Sequence, residues 1–206
     1  DPVRYLCNRS SGKQGHAIAQ ALANAGARVT LITGNVTIPD PSGLASILHV
    51  GNAEEMLNAV TANLPADIFV GAAAVADWRP AITSAKKIKK QNALDTLTLE
   101  FIPTVDVLAT IATHATRPSL VIGFAAETDN LMDYARAKRL RKKCDWILAN
   151  DVSAGQVFGA DDNNVTLISD AGEEAWPHAS KADVARKLVE KVATHFTSKT
   201  RKGKTA

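Results

Sequence analysis

Cysteine is scarce in this sequence, and its scarcity excludes two classes of protein. The 206 residues contain Cys7 and Cys144, far apart in the chain, and no others. The sequence therefore has neither a disulfide framework nor a cysteine-rich metal site. No apolar run reaches the roughly 18 residues of a transmembrane helix, and no secretory signal pattern is present. We expect a reduced, cytoplasmic protein that does not contact a membrane.

A global excess of one charge sign is also absent. The formal net charge is +3, and the basic residues concentrate in 199–206 and Lys86–Lys90. This balance does not favour nucleic acid as a partner. The length suits one domain with a substantial core. We therefore expect one domain over 1–198 and a disordered basic tail over 199–206.

Apolar periodicity predicts an alternation of strands and helices. Helices are predicted over 12–25, 53–64, 105–114, 130–143 and 181–196. Strands are predicted over 28–33, 46–50, 67–74, 120–124, 146–149 and 165–169, with an edge or hairpin strand over 96–101. This order predicts an α/β fold, a parallel-dominated sheet with helices on both faces and a short antiparallel extension. Ligands of such sheets bind at the carboxyl ends of the strands.

The first loop at that edge opens a helix. Gly12 and Gly15 allow a close approach of the backbone to a ligand, and the free N–H groups of the first turn attract anions. Ser11 adds a hydroxyl donor. The loop is neither a Walker A motif nor a GxGxxG fingerprint, and a serine-capped, tightly packed helix explains it equally well. Arg4 and Asn8 favour a ligand, because their side chains hold carboxylate or phosphoryl oxygens.

The second loop follows the strand over 67–74. Its small residues, including Ala73 and Ala74, leave backbone groups open to a flat ring such as a nucleobase. Asp77 could ligate Mg²⁺ together with phosphate oxygens, or cap a turn. The lysines of Lys86–Lys90 suit either a solvated loop or the neutralisation of departing pyrophosphate.

Two further strand ends carry candidate residues. Phe124 could stack on a base, although a core role is commoner for such a residue. Asn150 ends another strand with a polar side chain. The stretch 158–164 is a turn-rich loop that could close over a ligand.

Together, these segments resemble a known family. The patterns RY..N.SSGK.G, AAVADWRP followed by KIKK, GFAAET, and ANDV followed by FG.D.N.V occur in this order from Asp1 to about Phe196. They resemble bacterial phosphopantothenoylcysteine synthetase, the C-terminal half of the bifunctional flavoprotein of coenzyme A synthesis. The resemblance implies a Rossmann-like fold, a homodimer with active sites near the subunit interface, and a flavin-dependent decarboxylase domain fused upstream.

The resemblance also implies a reaction. CTP, with Mg²⁺, activates the carboxylate of 4′-phosphopantothenate as an acyl-cytidylate, and the amine of cysteine then displaces CMP. Among the matched residues, Asn8 handles the acyl-cytidylate, Arg4 binds the acid substrate and Lys87 acts during activation. The implied nucleotide-binding residues are Ser11, Gly12, Gly15, Ala73, Ala74, Val75, Asp77, Lys87 and Phe124. The implied substrate-binding residues are Arg4, Asn8 and Asn150, and the implied metal ligand is Asp77.

Some features depart from the family pattern. Cys7 stands where relatives often have Ser or Thr, and we expect a small hydrogen-bonding or apolar role there rather than a nucleophile. Asp106 lies in a segment that differs from the relatives, which leaves its role open. Relatives also carry a strand and a glycine turn before the segment that matches Asp1. We therefore expect a fragment of a longer protein, in which a neighbouring strand is left unpaired.

Three alternatives remain from the sequence. A non-catalytic partner or regulatory subunit would keep the fold without the chemistry. An NAD(P)-binding Rossmann reductase would need a GxGxxG turn, whose spacing is absent. A ligase of the same family could use ATP, because the choice of base depends on backbone contacts around Ala73–Val75.

Overall fold

The computed structural model describes residues 1–90, 92, 96–127, 130–151 and 162–202. In chain order, its elements are α1 (Lys13–Asn24), β1 (Thr30–Thr33), β2 (Ser46–His49), α2 (Ala53–Ala62), β3 (Ile68–Gly71), β4 (Trp78–Pro80), β5 (Phe101–Pro103), α3 (Val107–Ala112), β6 (Leu120–Glu127), α4 (Leu131–Lys142), β7 (Trp146–Asp151), β8 (Asp162–Asn163), β9 (Val165–Ser169), β10 (Gly172–Ala175), β11 (Ala179–Ser180) and α5 (Lys181–Lys202).

The main sheet has five strands in the order β10–β9–β7–β6–β3. Its strands β3, β6 and β7 are parallel, whereas β9 and β10 add an antiparallel edge. Helices α1 and α5 cover one face, and α3 and α4 cover the other. The predicted fold class is therefore confirmed.

The core lies on both faces of β6 and β7. Leu120, Ile122 and Leu148 are fully buried beneath α1 and α5. The alternate residues of the same strands pack under α3 and α4. Gly123 permits this second contact, because a Cβ there would lie 2.7 Å from Cδ2 of Leu108. Both faces are apolar, as expected for parallel strands that are covered on each side.

A second, two-stranded parallel sheet contains β1 and β2. Among the described residues, β1 and β3 each pair with a strand on one side. Helix α1 contacts both sheets, since the ring of His16 lies 3.2 Å from Oγ1 of Thr33 while Gly15 lies against Ala72. On the opposite face, Ile32 and Phe69 pack on one cluster formed by α2 and α3. Side-chain packing therefore joins the two sheets.

An antiparallel ribbon of β4 and β5 projects from this framework. Trp78 pairs with Pro103, and Pro80 pairs with Phe101. Ladder hydrogen bonds continue at both ends of the three pairs, because the N–H of Ala81 donates to the carbonyl oxygen of Glu100 and that of Thr104 to the carbonyl oxygen of Asp77, each at 2.9 Å. Residues 96–100, which belong to the strand predicted over 96–101, are not assigned to a strand, and the paired residues start at Phe101.

The end of the chain corrects one boundary of the sequence prediction. Helix α5 reaches Lys202, so residues 199–202 continue the helix instead of starting a tail. Lys, Thr and Arg are compatible with a helix, and Gly203 is the first strong breaker. Residues 203–206 lie outside the described residues. Within the described ranges, no helix is long and apolar enough to cross a membrane.

Candidate active site

The N-terminal arm, residues 1–11, crosses two loops that are distant in the sequence. The Nδ2 group of Asn8 donates to the carbonyl oxygen of Val75 at 3.1 Å. The Nη2 group of Arg4 donates to the carbonyl oxygen of Ile88 at 2.7 Å. The arm therefore joins the loop after β3 to the lysine loop, residues 84–90. The predicted residues Arg4, Asn8 and Val75 come together with the backbone beside Lys87.

Asp1 completes this junction, although it was not among the predicted site residues. Its Oδ1 atom accepts from the backbone N–H groups of Val3 and Arg4 at 3.0 and 3.1 Å. Its Oδ2 atom accepts from Nε and Nη2 of Arg4 at 3.1 and 2.5 Å, and from the N–H of Ile88 at 3.2 Å. The Asp1 side chain is just 2% exposed. The spacing of Asp1 and Arg4, three residues apart, was the available signal for the local ion pair.

The turn that opens α1 depends on Gly12. This residue is the N-cap, with φ 75°, and no side chain caps the helix. A Cβ at Gly12 would lie 2.9 Å from Cγ1 of Val36, so both the backbone angle and the space favour glycine. The serine-capped helix that we considered is therefore not observed. The Oγ atom of Ser11 lies 3.5 Å from the backbone nitrogen of Lys13, which is too long for a strong hydrogen bond.

Gly15 has a different environment from Gly12. A Cβ at Gly15 would meet Cβ of Ala72 at 3.7 Å, which is an ordinary contact. The packing in this structure does not itself require glycine at position 15. The predicted approach of a ligand to Gly15 stays a prediction.

The loop after β3 is open to solvent. Ala73, Ala74 and Asp77 are exposed, and Val75 is half-buried. Lys87 is also exposed. The lysine loop has its own turn, because the Oγ group of Ser84 donates to the carbonyl oxygen of Lys86 at 2.6 Å. Small apolar residues, one carboxylate and a basic loop therefore lie along one side of the arm.

Asp77, the predicted metal ligand, lies among described residues that do not form a complete metal site. The described residues contain no group of three His, Cys, Asp or Glu side chains that could hold a metal ion. Asp77 has an exposed carboxylate. Mg²⁺ commonly binds through one or two carboxylates together with substrate phosphates. Asp77 fits a magnesium ion that arrives with a nucleotide better than a resident metal.

Phe124 lies inside β6 and Asn150 lies near the end of β7, and the two candidate residues have different environments. Phe124 is partly buried and packs against the main core cluster, which is the commoner role that we considered. The Oδ1 atom of Asn150 is buried without a hydrogen-bond partner among the described residues. Such an atom is rare in folded proteins and points to a missing partner. Of the predicted loop 158–164, residues 158–161 lie outside the described residues.

A buried amide contact links this region to α1. The Nδ2 group of Asn163, which is 4% exposed, donates to Oε1 of Gln14 at 2.9 Å. The Nε2 group of Gln14 in turn donates to the carbonyl oxygen of Lys181. The first turn of α1 is therefore fixed to the start of α5 and to β8. Neither amide was selected from the sequence, since the two lie far apart in the chain.

The open role of Asp106 is structural in this arrangement. Asp106 is the N-cap of α3 and accepts from the N–H of Ala109 at 3.0 Å. Burial acts to raise the pKa of the Asp106 carboxyl, but its hydrogen bonds with Lys142 and Ala109 outweigh that effect. The net result is a pKa below the usual range.

A separate cleft of about 360 Å³ lies at the carboxyl ends of β1 and β2. It is lined by Tyr5, Gly34, Asn35, Val36, His49, Val50 and Gly51. None of the predicted site residues lines this cleft. Val36 both lines the cleft and lies against Gly12, so the cleft adjoins the glycine turn.

Sequence comparison identifies the family of the chain. Residues 1–196 match the model of the DNA/pantothenate metabolism flavoprotein C-terminal domain. The chain belongs to this family. It is 42% identical over 196 residues to the coenzyme A biosynthesis bifunctional protein CoaBC of Vibrio vulnificus, which covers 94% of this chain and 49% of that protein. CoaBC of Escherichia coli is 42% identical over 205 residues, 98% of this chain and 50% of the relative.

Solved structures agree with this assignment. The crystal structure of the C-terminal domain of CoaBC matches with a TM-score of 0.79 and 33% identity, over 96% of this chain and 89% of that one. A Cab2 mutant in complex with phosphopantothenate-cysteine matches with a TM-score of 0.71 over 98% of this chain and 83% of that one. Its 15% identity shows the fold alone. The chain spans about half the length of the curated relatives it matches. The resemblance that the motifs indicated is confirmed for the family.

Proposed function

We propose that this chain ligates 4′-phosphopantothenate to cysteine with CTP as the activating nucleotide, in coenzyme A biosynthesis. The observation that carries the proposal is the junction of the arm with two loops. Arg4 reaches the backbone beside Lys87, and Asn8 reaches the loop after β3. The family supports the same reaction, since its members include the CoaBC proteins of coenzyme A biosynthesis.

The proposed first step activates the carboxylate of 4′-phosphopantothenate. A carboxylate oxygen attacks the α-phosphorus of CTP, the bond to the β-phosphate breaks, and pyrophosphate leaves. Lys87 offsets the charge that develops on pyrophosphate. Arg4 retains the Nη1 side of its guanidinium for the acid substrate, because the described contacts engage Nε and Nη2.

The proposed second step forms the amide. The amine of cysteine attacks the acyl carbon, the bond to CMP breaks, and the amine loses a proton. The task of the protein is chiefly to position the reactants. Asn8 lies beside Val75 and would hold the acyl-cytidylate there. The buried Oδ1 atom of Asn150 has no hydrogen-bond partner among the described residues and would accept a hydrogen bond from the substrate.

The nucleotide would lie between α1 and the loop after β3. The uncapped first turn of α1 offers N–H groups to the phosphates, and Gly12 and Ser11 flank it. Backbone groups of Ala73–Val75 would contact the cytosine, with Phe124 and Gly15 nearby. Asp77 would hold Mg²⁺, which offsets phosphate charge when bound.

The ribbon of β4 and β5, together with the segment 97–99 that precedes β5, supports a homodimer. Trp78, Leu97, Leu99 and Phe101 are large apolar residues with 54%, 54%, 46% and 39% exposure. Exposed apolar groups of this kind mark interaction sites, and a second copy of this chain would cover them. We also propose a cytoplasmic protein with a flavin-dependent decarboxylase domain fused upstream, as the bifunctional name of the relatives suggests.

Pyrophosphate release tests the proposed activity. The purified chain is incubated with 4′-phosphopantothenate, Mg²⁺ and either CTP or ATP, without cysteine. We expect a CTP-dependent burst that falls about 10²-fold or more in Lys87→Gln. Lys143→Gln, a change at the exposed end of α4, is the matched control and should keep the burst.

Two other outcomes of this experiment would contradict the proposal. A burst with ATP alone would overturn the choice of CTP. Absence of release with both nucleotides, here and in a longer chain that includes the upstream region, would favour the non-catalytic alternative.

A further inference from the structure

Arg4 and the lysine loop share one buried carboxylate, that of Asp1. Five N–H donors converge on its two oxygens, from Val3, Arg4 and Ile88. The carboxylate is nearly inaccessible, although Arg4 itself is half exposed. A carboxylate with several N–H donors is among the strongest hydrogen-bonded arrangements in proteins.

The contact with Ile88 spans 87 positions of the chain. The backbone of Ile88 is held twice, because its N–H donates to Asp1 and its carbonyl accepts from Arg4. Ile88 lies next to Lys87 in the sequence. The turn at Ser84 orders the start of the same loop but makes no described contact with the arm.

We propose that Asp1 is a positioning residue that holds the lysine loop against the N-terminal arm. Asp1 fixes the guanidinium of Arg4 from one side and the backbone of Ile88 from the other. The exposed side chain of Lys87 therefore projects from a backbone that is already in place. The catalytic part of this inference rests on the proposed function, whereas the structural part does not.

The structural part is tested by amide hydrogen exchange in Asp1→Asn, which keeps the shape of the side chain and removes its charge. The amide of Ile88 should exchange about 3- to 10-fold faster, as expected for the loss of one hydrogen bond. The amide of Lys86, which donates to Oγ of Ser84 at 3.2 Å, is the internal control and should not change. Trypsin should also cleave the lysine loop faster in the variant.

Asp133→Asn is the matched control variant. Asp133 forms another ion pair with an arginine three residues later, Arg136, but lies at the start of α4. It should leave both the exchange of Ile88 and the tryptic cleavage unchanged. Equal exchange of Ile88 in the wild type and in Asp1→Asn would overturn the proposal.

The catalytic part is tested by the kinetics of pyrophosphate release. In Asp1→Asn, kcat should fall about 10-fold while KM for CTP changes less than about threefold, because misplacing a catalytic group acts on the reaction step. An unchanged kcat with a loosened loop would show that Asp1 orders the backbone without aiding Lys87. If the wild type releases no pyrophosphate, the proposed function fails, and the exchange result alone decides the role of Asp1.

Discussion

Strand β6 and the N-terminal arm lie at opposite extremes of burial. Leu120, Val121 and Ile122 of β6 are fully buried, whereas almost every residue of the arm is exposed. Apolar packing holds β6 between two helical layers. The arm is held by side chains that bond to the backbone of distant loops. The framework therefore depends on many similar contacts, and the candidate site depends on a few specific ones.

The two cysteines offer a direct probe of this difference. Cys7 is exposed in the arm, and Cys144 is buried beside Gly123. Burial raises the pKa of the Cys144 thiol to about 11. At pH 8, roughly one such thiol in 10³ is ionised, so the exposed Cys7 should be alkylated about 10²-fold faster or more. Mass spectrometry of timed samples measures both rates, with equal labelling in denaturant as the control. Equal labelling in the native protein would contradict the burial of Cys144.

A substitution in the framework should act on stability. Leu148→Ala leaves a cavity in the main core cluster and should lower the free energy of unfolding by about 2–5 kcal/mol. Leu140→Ala, at a residue that is 70% exposed, should change it by less than about 0.5 kcal/mol. Urea denaturation followed by circular dichroism measures both variants. Similar midpoints for the two would contradict the division between core and surface.

A substitution in the arm should act on activity instead. Asn8→Ala removes the donor to Val75 and the proposed contact with the acyl-cytidylate, so ligation should fall about 10²-fold. Its free energy of unfolding should stay near the wild-type value, since Asn8 is exposed. Asn63→Ala removes a similar amide-to-carbonyl bond at the end of α2 and is the control. A loss of stability comparable to that of Leu148→Ala would refute the comparison.

The smallest effect concerns the ion pair at the start of α3. The pKa of Asp106 is lower in the folded protein than its ordinary value of 3.8. The ion pair therefore adds to the free energy of unfolding above pH 3.8, and this contribution is lost as the pH falls through the pKa of the folded protein. The pair is partly exposed, so this contribution should be below about 1 kcal/mol. Denaturation of the wild type and Asp106→Asn at pH 3 and pH 6 measures it. The two proteins should differ more at pH 6.

The sequence predicted the framework well because its signals are local. The apolar run over 120–124 and the helix over 181–196 each carry their own periodicity. The short strands β4, β8 and β11 carry no such signal. Three residues that include Pro80 become a strand because Phe101 pairs with them across a long connection. Pairing with a distant segment, and not local propensity, therefore makes these residues a strand.

Only part of the candidate site was predicted, because only part of it has a local signal in the sequence. Arg4, Asn8 and Lys87 stood out as chemical groups near strand ends. Their convergence depends on contacts that span 84 and 67 positions, through backbone atoms of Ile88 and Val75. Backbone atoms are the same in every residue, so no side-chain pattern identifies these two partners. Asp1 was missed for the same reason, because its carboxylate accepts from the backbone N–H of Ile88.

β1 and β3 belong to two different sheets, and this separation affects how the chain resists mechanical load. Within the main sheet, force applied across the strands is shared by rows of backbone hydrogen bonds. Within the described part of this chain, no strand pairing connects β1 with β3, so the same force there falls on side chains of α1, α2 and α3. Under tension applied across both sheets, the unit of β1 and β2 should detach first, while the five-stranded sheet remains intact.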